Sequence, residues 1–139
     1  MSSIIPGRAH ELLLSLPWSD VFTTNYDTLL ERAGKSIFGR KYDLICCCED
    51  IPRYMKPRIT KLNGSFPSHR PFIVTRRDFD SYGRRRPPLV NMVRQAIMEN
   101  VLCLIGFSGD DPNFVRWVGW VQGRTRDTSR IPERCQSAA

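Results

Sequence analysis

What this sequence has little of narrows it first. No apolar run approaches the roughly 18 residues a bilayer-crossing helix needs, so no membrane span is expected. The opening residues, Met1 to Arg8, hold no long apolar core of a signal peptide, and a cytoplasmic location is the expectation. The five cysteines, Cys46, Cys47, Cys48, Cys103 and Cys135, are an odd number, which argues against a disulfide framework. Three of them are consecutive and lack the Cys-x-x-Cys spacing of a structural zinc site, so no metal is expected. Histidine occurs twice, at His10 and His69. Zinc-finger, homeodomain and other nucleic-acid motifs, internal repeats and low-complexity tracts are all missing.

What is present suits one folded domain. The chain has 139 residues, and a hydrophobic content of 41% is enough to build a core. The net charge of +7 points to anionic partners: a dinucleotide, a nucleic acid or an acidic lipid surface. Arg84-Arg85-Arg86 is the densest basic run. Pro87-Pro88 follows at once, so the run reads as a solvated loop. The cysteines read as small core or sub-surface residues.

The stretch that organises the chain is Val21-Phe22-Thr23-Thr24-Asn25-Tyr26-Asp27. Its first residues suit a buried strand. Hydroxyls, a carboxamide and a carboxylate follow, and then Leu29, Leu30 and Ala33 recur at helical spacing. A strand therefore ends in a polar cluster and a helix begins, ending at Gly34. The same residues would also serve as a plain strand–cap–helix junction, because Thr and Asp are ordinary N-caps. Upstream, Ala9, Leu12, Leu13 and Leu16 predict an amphipathic helix over 8–16, stopped by Pro17. Trp18 is expected to pack over that junction.

Further strands are predicted at 43–48, 58–62 and 71–75. The second of these runs into the turn Asn63-Gly64-Ser65. Thr75 with Asp78 forms a capping-box pattern for a helix carrying Phe79 and Tyr82 inward. Residues 89–99 predict another helix, striped by Val90, Val93 and Ile97. Val101-Leu102-Cys103-Leu104-Ile105 is apolar on both faces, as in a central parallel strand. It leads into Gly106-Phe107-Ser108-Gly109-Asp110-Asp111-Pro112. There Asp111 and Pro112 suit the start of a helix bearing Phe114, Trp117, Val118 and Val121. That helix start, with two aspartates beside it, fits a hydroxyl-bearing ligand better than a bare phosphate. Residues 122–139 form a polar basic tail, expected to be disordered.

Three strand tips thus carry polar clusters: Thr24-Asn25-Asp27, Asn63-Gly64 and Gly106-Phe107-Ser108. Strands alternating with helices imply a parallel sheet. Parallel strands place their carboxyl ends on one edge, where α/β proteins bind ligands.

With these motifs in order, the sequence resembles the sirtuin-like domain family, in particular the bacterial branch of anti-phage defence proteins that hydrolyse NAD. The matching pieces are Leu16-Pro17-Trp18, then Thr23-Thr24-Asn25-Tyr26-Asp27, Lys61-Leu62-Asn63-Gly64-Ser65, Val74-Thr75 with Asp78-Phe79 and Tyr82, and Leu104 to Phe114. The resemblance covers about Leu12 to Val121, and residues 1–121 are read as a partial sirtuin-like NAD-binding domain. It implies an α/β, Rossmann-like parallel sheet flanked by helices, with NAD or ADP-ribose as the ligand. By resemblance, Thr24, Asn25 and Asp27 line the nicotinamide and ribose end. Gly64, Gly106, Ser108 and Asp111 are the remaining cofactor contacts, with Gly106 and Ser108 in the Gly-x-Ser loop. Asn25 and Asn63 occupy the catalytic positions.

Two departures from the family pattern shape the expected activity. The family's catalytic His precedes the Gly of a Lys-Leu-His-Gly motif, and here that position is Asn63. An amide does not titrate, and general-base assistance is worth about 10²–10⁴-fold in rate. His69 sits in a Ser-His-Arg-Pro loop, a poor mount for a catalytic base, and His10 reads as a surface residue of the first helix. The family's earlier strand and Gly-rich phosphate loop have no counterpart upstream of Leu12, so the fold is expected to be incomplete at its N-terminal side, with a phosphate nest missing. A homo-oligomer or a partner domain could complete such a pocket. Sirtuin-type zinc-binding Cys pairs are also missing, which disfavours a protein deacylase. The leading expectation is a domain related to NAD glycohydrolases, weak or inactive alone. The alternatives are a non-catalytic NAD or ADP-ribose sensor and a basic nucleic-acid-binding protein.

Overall fold

Three short strands in the first part of the chain are apolar or β-branched at their centres, and they assemble into one parallel sheet. The computed structural model describes residues 4–66, 72–107, 115 and 117–119. The chain divides between Asn91 and Met92 into two units. In the first, the order is α1 (Arg8–Ser15), β1 (Asp20–Thr23), α2 (Leu29–Ser36), β2 (Asp43–Ile45), a 3₁₀ turn (Cys48–Asp50), β3 (Arg58–Lys61) and α3 (Arg76–Arg85). Helix α4 (Pro87–Glu99) begins in the first unit and ends in the second. The architecture is α/β and Rossmann-like, with a small parallel sheet flanked by helices.

Strand β3 lies in the middle, parallel to β1 on one side and β2 on the other. Ile59 is the register point, facing Val21 of β1 and Leu44 of β2. The core forms around Leu14, Ala33 and Ile59, with Val21, Leu30, Ile37, Tyr42 and Leu44 packed against it. One side of the sheet is thereby sealed by α1 and α2. At the sheet's amino end, Asp20 binds Arg58 at 2.7 Å and Lys56 at 3.0 Å.

Several local expectations shift. Helix α1 buries Leu14, whereas Leu12 and Leu16 are exposed. Three consecutive leucines fit more than one helical stripe, and packing against α2 selected Leu14. Trp18 does seal the junction, donating from Nε1 to the Leu13 carbonyl at 2.7 Å. Strand β2 stops at Ile45 rather than continuing to Cys48, because the Asp50 carboxylate captures the Cys46 and Cys47 amides at 2.9 and 3.1 Å. A backbone donor held by a side chain is lost to the ladder.

Gly34 is a buried interior residue of α2, not its end. A Cβ there would lie 3.6 Å from Ile59, Leu14 and Tyr42, which is ordinary contact. Glycine in a helix costs about 0.5–1 kcal/mol relative to alanine. Gly34→Ala should therefore raise the unfolding free energy by about that amount, measured by urea denaturation. A loss of stability would mean that α2 and β3 cannot accept the extra methyl.

The capping box at Thr75 forms as the pattern predicts. Thr75 Oγ1 accepts from the Asp78 amide at 3.2 Å, and Asp78 Oδ2 accepts from the Thr75 amide at 2.9 Å. The Thr75 amide and the Thr75 hydroxyl both donate to Asp78 Oδ2, and these two bonds hold the Asp78 carboxyl below its ordinary value. Tyr82 is buried and Phe79 half-buried, as expected. Arg84 and Arg85 belong to α3 instead of a loop, and Pro87 opens α4, where its missing N–H costs nothing.

Two expected strands have no ladder among the described residues. Phe72 to Val74 makes no ladder among the described residues, and Ile73 gives one backbone bond, to the Asn63 carbonyl at 3.0 Å. Val101–Ile105 likewise has no ladder partner among the described residues, and Val101 is 97% exposed. An apolar run states a need for burial, but a strand exists only where a neighbouring backbone supplies its hydrogen bonds. Residues 117–119 are helical, in line with the predicted last helix, while Asp111, Pro112 and the tail 122–139 lie outside the described residues.

Candidate functional site

The site grows from the carboxyl ends of β1 and β3, which are neighbours in the sheet. Beyond the last ladder pair, the two chains stay stitched together. The Leu62 amide donates to the Thr23 carbonyl at 2.9 Å, and the Phe66 amide donates to the Tyr26 carbonyl at the same distance. Between them, Asn63 Nδ2 donates to the Thr24 carbonyl at 3.2 Å. The two polar tips that sequence pattern placed on one edge are thus brought side by side.

The predicted residues of these two tips each have a definite place at this edge. Thr24 is half-buried, and its carbonyl is the anchor for Asn63. Asn25 is exposed, and its amide is turned by the Thr23 hydroxyl, which accepts at 3.1 Å. Asp27 is exposed, and its Oδ1 accepts from the Leu29 amide at 2.9 Å, closing the first turn of α2. Asp27 therefore has a capping task whatever else it binds. Asn63 is buried at 6% exposure, with its amide group spent on Thr24. Gly64 is buried with φ of +99°, a conformation that favours glycine.

The third tip belongs to the second unit. Gly106 takes φ of +75° and is exposed, with open space where a Cβ would point. Phe107 is half-buried. Ser108 and Asp111 lie outside the described residues, as does His69. His10 accepts from the Gly7 amide through Nδ1 at the start of α1, in keeping with a helix-end role.

The edge is braced from beneath and from the side. Tyr26 donates its hydroxyl to the Ile73 carbonyl, and its ring packs with Phe66 and Phe72 at centroid distances of 5.7 and 5.9 Å. Burial raises the Tyr26 hydroxyl above its ordinary pKa, and the nearby Asp78 charge adds to this. The Leu62 carbonyl accepts from both Tyr82 Oη at 2.9 Å and Arg86 Nη1 at 3.1 Å, tying α3 to the β3 tip. Burial pushes the Tyr82 hydroxyl up to about 12, so it remains a donor across the physiological range.

Sequence reasoning had no role for Lys61. Its side chain is 1% exposed, Nζ lies 3.1 Å from Glu31 Oε1, and it donates to the Asp27 carbonyl. The signal available in the sequence was a lysine between the β-branched pair Ile59-Thr60 and Leu62 at the end of a strand. Cys46 and Cys47 sit near the end of β2, where burial pushes both thiols up to about 11. Neither is a thiolate at neutral pH, which removes them as nucleophiles. Among the described residues, no group of three or more His, Cys, Asp or Glu side chains is placed to hold a metal ion. No described helix is long and apolar enough to cross a membrane.

A parallel α/β sheet with two polar tips, one of them carrying Gly64, stitched along its carboxyl edge is the arrangement on which open α/β domains place their ligand sites. The particular family follows from comparison: residues 19–134 match the SIR2-like domain, and the chain belongs to that family. It is similar to the NAD(+) hydrolase ThsA of Acinetobacter baumannii (strain 532279), 29% identical over 111 residues, covering 78% of this chain and 23% of that protein. It is similar to the Defense-associated sirtuin 2 of Bacillus subtilis, 24% identical over 127 residues, covering 88% of this chain and 12% of the relative. The NAD(+) hydrolase ThsA of Enterococcus faecium is 25% identical over 130 residues, covering 91% of this chain and 27% of that protein. The chain thus spans about a quarter or less of these relatives' lengths.

Proposed function

We propose that this chain is the part of a SIR2-like anti-phage NAD hydrolase that receives the nicotinamide–ribose end of NAD. The observation that carries the reading is the stitched edge. Four backbone and side-chain bonds immobilise the loop from Thr23 to Asp27 yet leave Asn25 exposed at its crest. The relatives named as NAD(+) hydrolases supply the reaction class.

The reaction replaces one bond with another. The bond between the ribose C1′ and the nicotinamide nitrogen breaks, and its electron pair leaves with nicotinamide. A water oxygen bonds to C1′ and releases a proton, which gives ADP-ribose. The ribose carbon passes through an oxocarbenium-like state, so a polar group fixed beside it lowers the barrier. The Asn25 side chain offers both an acceptor and a donor, suited to a ribose hydroxyl or the incoming water. Asp27 retains one carboxylate oxygen beyond the Oδ1 that caps α2, and this oxygen suits the nicotinamide carboxamide. Thr24 and Gly64 are the further ligand contacts proposed in this unit; the roles of Gly106, Ser108 and Asp111 toward ribose and phosphate rest on the sequence resemblance alone.

Asn63 cannot withdraw a proton from the water at neutral pH, and its amide is already engaged. Turnover by this chain should therefore be slow. That same engagement favours a second reading, in which the domain senses NAD or ADP-ribose without cleaving it.

Isothermal calorimetry with NAD and with ADP-ribose, run beside a nicotinamide-release assay, tests both. Binding with slow release is the expected result. Binding with no release at all favours the sensor. Failure to bind either nucleotide overturns the proposal.

A further inference from the structure

We propose that the buried Lys61–Glu31 pair is a positioning device that sets the Asn25–Asp27 loop for its ligand. The inference rests on the reading that this loop faces NAD. It begins from an arrangement of carbonyl groups. The last residue of β3 and the segment that continues it hold four carbonyls of the β1 tip: Leu62 N on Thr23, Asn63 Nδ2 on Thr24, Phe66 N on Tyr26, and Lys61 Nζ on Asp27. Lys61 is the only charged donor of these four. It also closes the far end of the loop, where the chain enters α2.

Glu31 lies in the first turn of α2, and its side chain is 9% exposed. Among the described residues, neither of its carboxylate oxygens accepts a well-aligned hydrogen bond, so Lys61 at 3.1 Å is its charge partner. The lysine therefore joins three elements: the end of β3, the β1–α2 loop and α2 itself.

Stability alone does not call for such a pair. Burying two charges carries a desolvation cost, and well-packed apolar residues of similar volume are often as stable or more so. What an ammonium supplies and a methyl cannot is directed donors. One holds the Asp27 carbonyl while Glu31 holds the ammonium in place. The peptide between Asp27 and Thr28 is then fixed in orientation, and the loop carrying Asn25 is clamped at both ends. The Asp27 carboxylate is fixed separately by its bond to the Leu29 amide. Lys61 and Glu31 are thus positioning residues and touch no ligand.

The test is the double variant Lys61→Met/Glu31→Leu in the full chain, with Glu31→Gln as a milder partner. Three readouts are compared with wild type: thermal melting, amide hydrogen exchange, and NAD affinity by calorimetry. The expected result is a double variant that melts at or above wild type. Its amides from Asn25 to Leu29 exchange faster while those of β3 do not. Its NAD affinity falls about tenfold, the scale of one hydrogen bond. A folded double variant with unchanged loop exchange and unchanged affinity overturns the proposal. If the double variant fails to fold, Glu31→Gln decides it by the same exchange and affinity criteria. If wild type itself binds no NAD, the functional reading fails, and exchange alone decides the clamp: faster exchange confined to 25–29 supports it, and none overturns it.

Discussion

Asn25→Ala lowers nicotinamide release by about 10²–10³-fold, the scale for removing one preorganised polar group beside a developing charge. The backbone reason is that the loop around Asn25 is held independently of its side chain. The Thr23 hydroxyl turns the Asn25 amide, and Thr24 and Tyr26 are anchored through their own carbonyls. Truncation at Asn25 therefore removes the carboxamide while leaving its mount. Because the side chain is exposed, melting should change little, as is usual for surface positions. His69→Ala is the matched control and leaves release unchanged. The comparison is made with both variants at equal concentration in the nicotinamide-release assay. Equal losses in the two variants would show that the roles are wrongly assigned.

Asn63→His raises nicotinamide release by about 10²–10⁴-fold, the range for a well-placed general base. Asn63 is 6% exposed and donates to the Thr24 carbonyl at 3.2 Å. A histidine has two ring nitrogens. One can keep the donor bond to Thr24, which fixes the tautomer and leaves the other to accept a proton from water. The base works only when neutral, so the gain appears above about pH 6.5, the ordinary histidine value, and fades as pH falls through it. Release is measured from pH 5 to 8 alongside NAD binding. A variant that binds NAD yet shows no gain would place the defect in binding geometry rather than in the missing base.

These two positions also illustrate how far the sequence could be read. Asn25 and Asn63 were both singled out from motif order. Their difference in burial was not visible there, because it depends on where β3 lies relative to β1. The α3 cap was readable because Thr75 and Asp78 are three residues apart and meet within one helical turn. The Leu12–Leu14 run was ambiguous, since a helix presents such a run across a broad arc and α2 decides which leucine is sealed. Val101–Ile105 had the composition of a central strand, yet composition carries no information about a partner backbone.

By itself, the sequence determined the α/β class, the parallel sense of the strands, the Thr75 helix cap and the identity of the polar tips of β1 and β3. All of these follow from residue type and spacing over a few positions, where local sterics and short-range hydrogen bonds dominate. Only the tertiary structure decided that β3 lies between β1 and β2, that Asn63 braces Thr24, and that Lys61 reaches Asp27 and Glu31. The side-chain contacts of Asn63 and Lys61 join residues 30 or more positions apart in the chain. Their partners are set by how buried surfaces pack, and no local pattern encodes that choice.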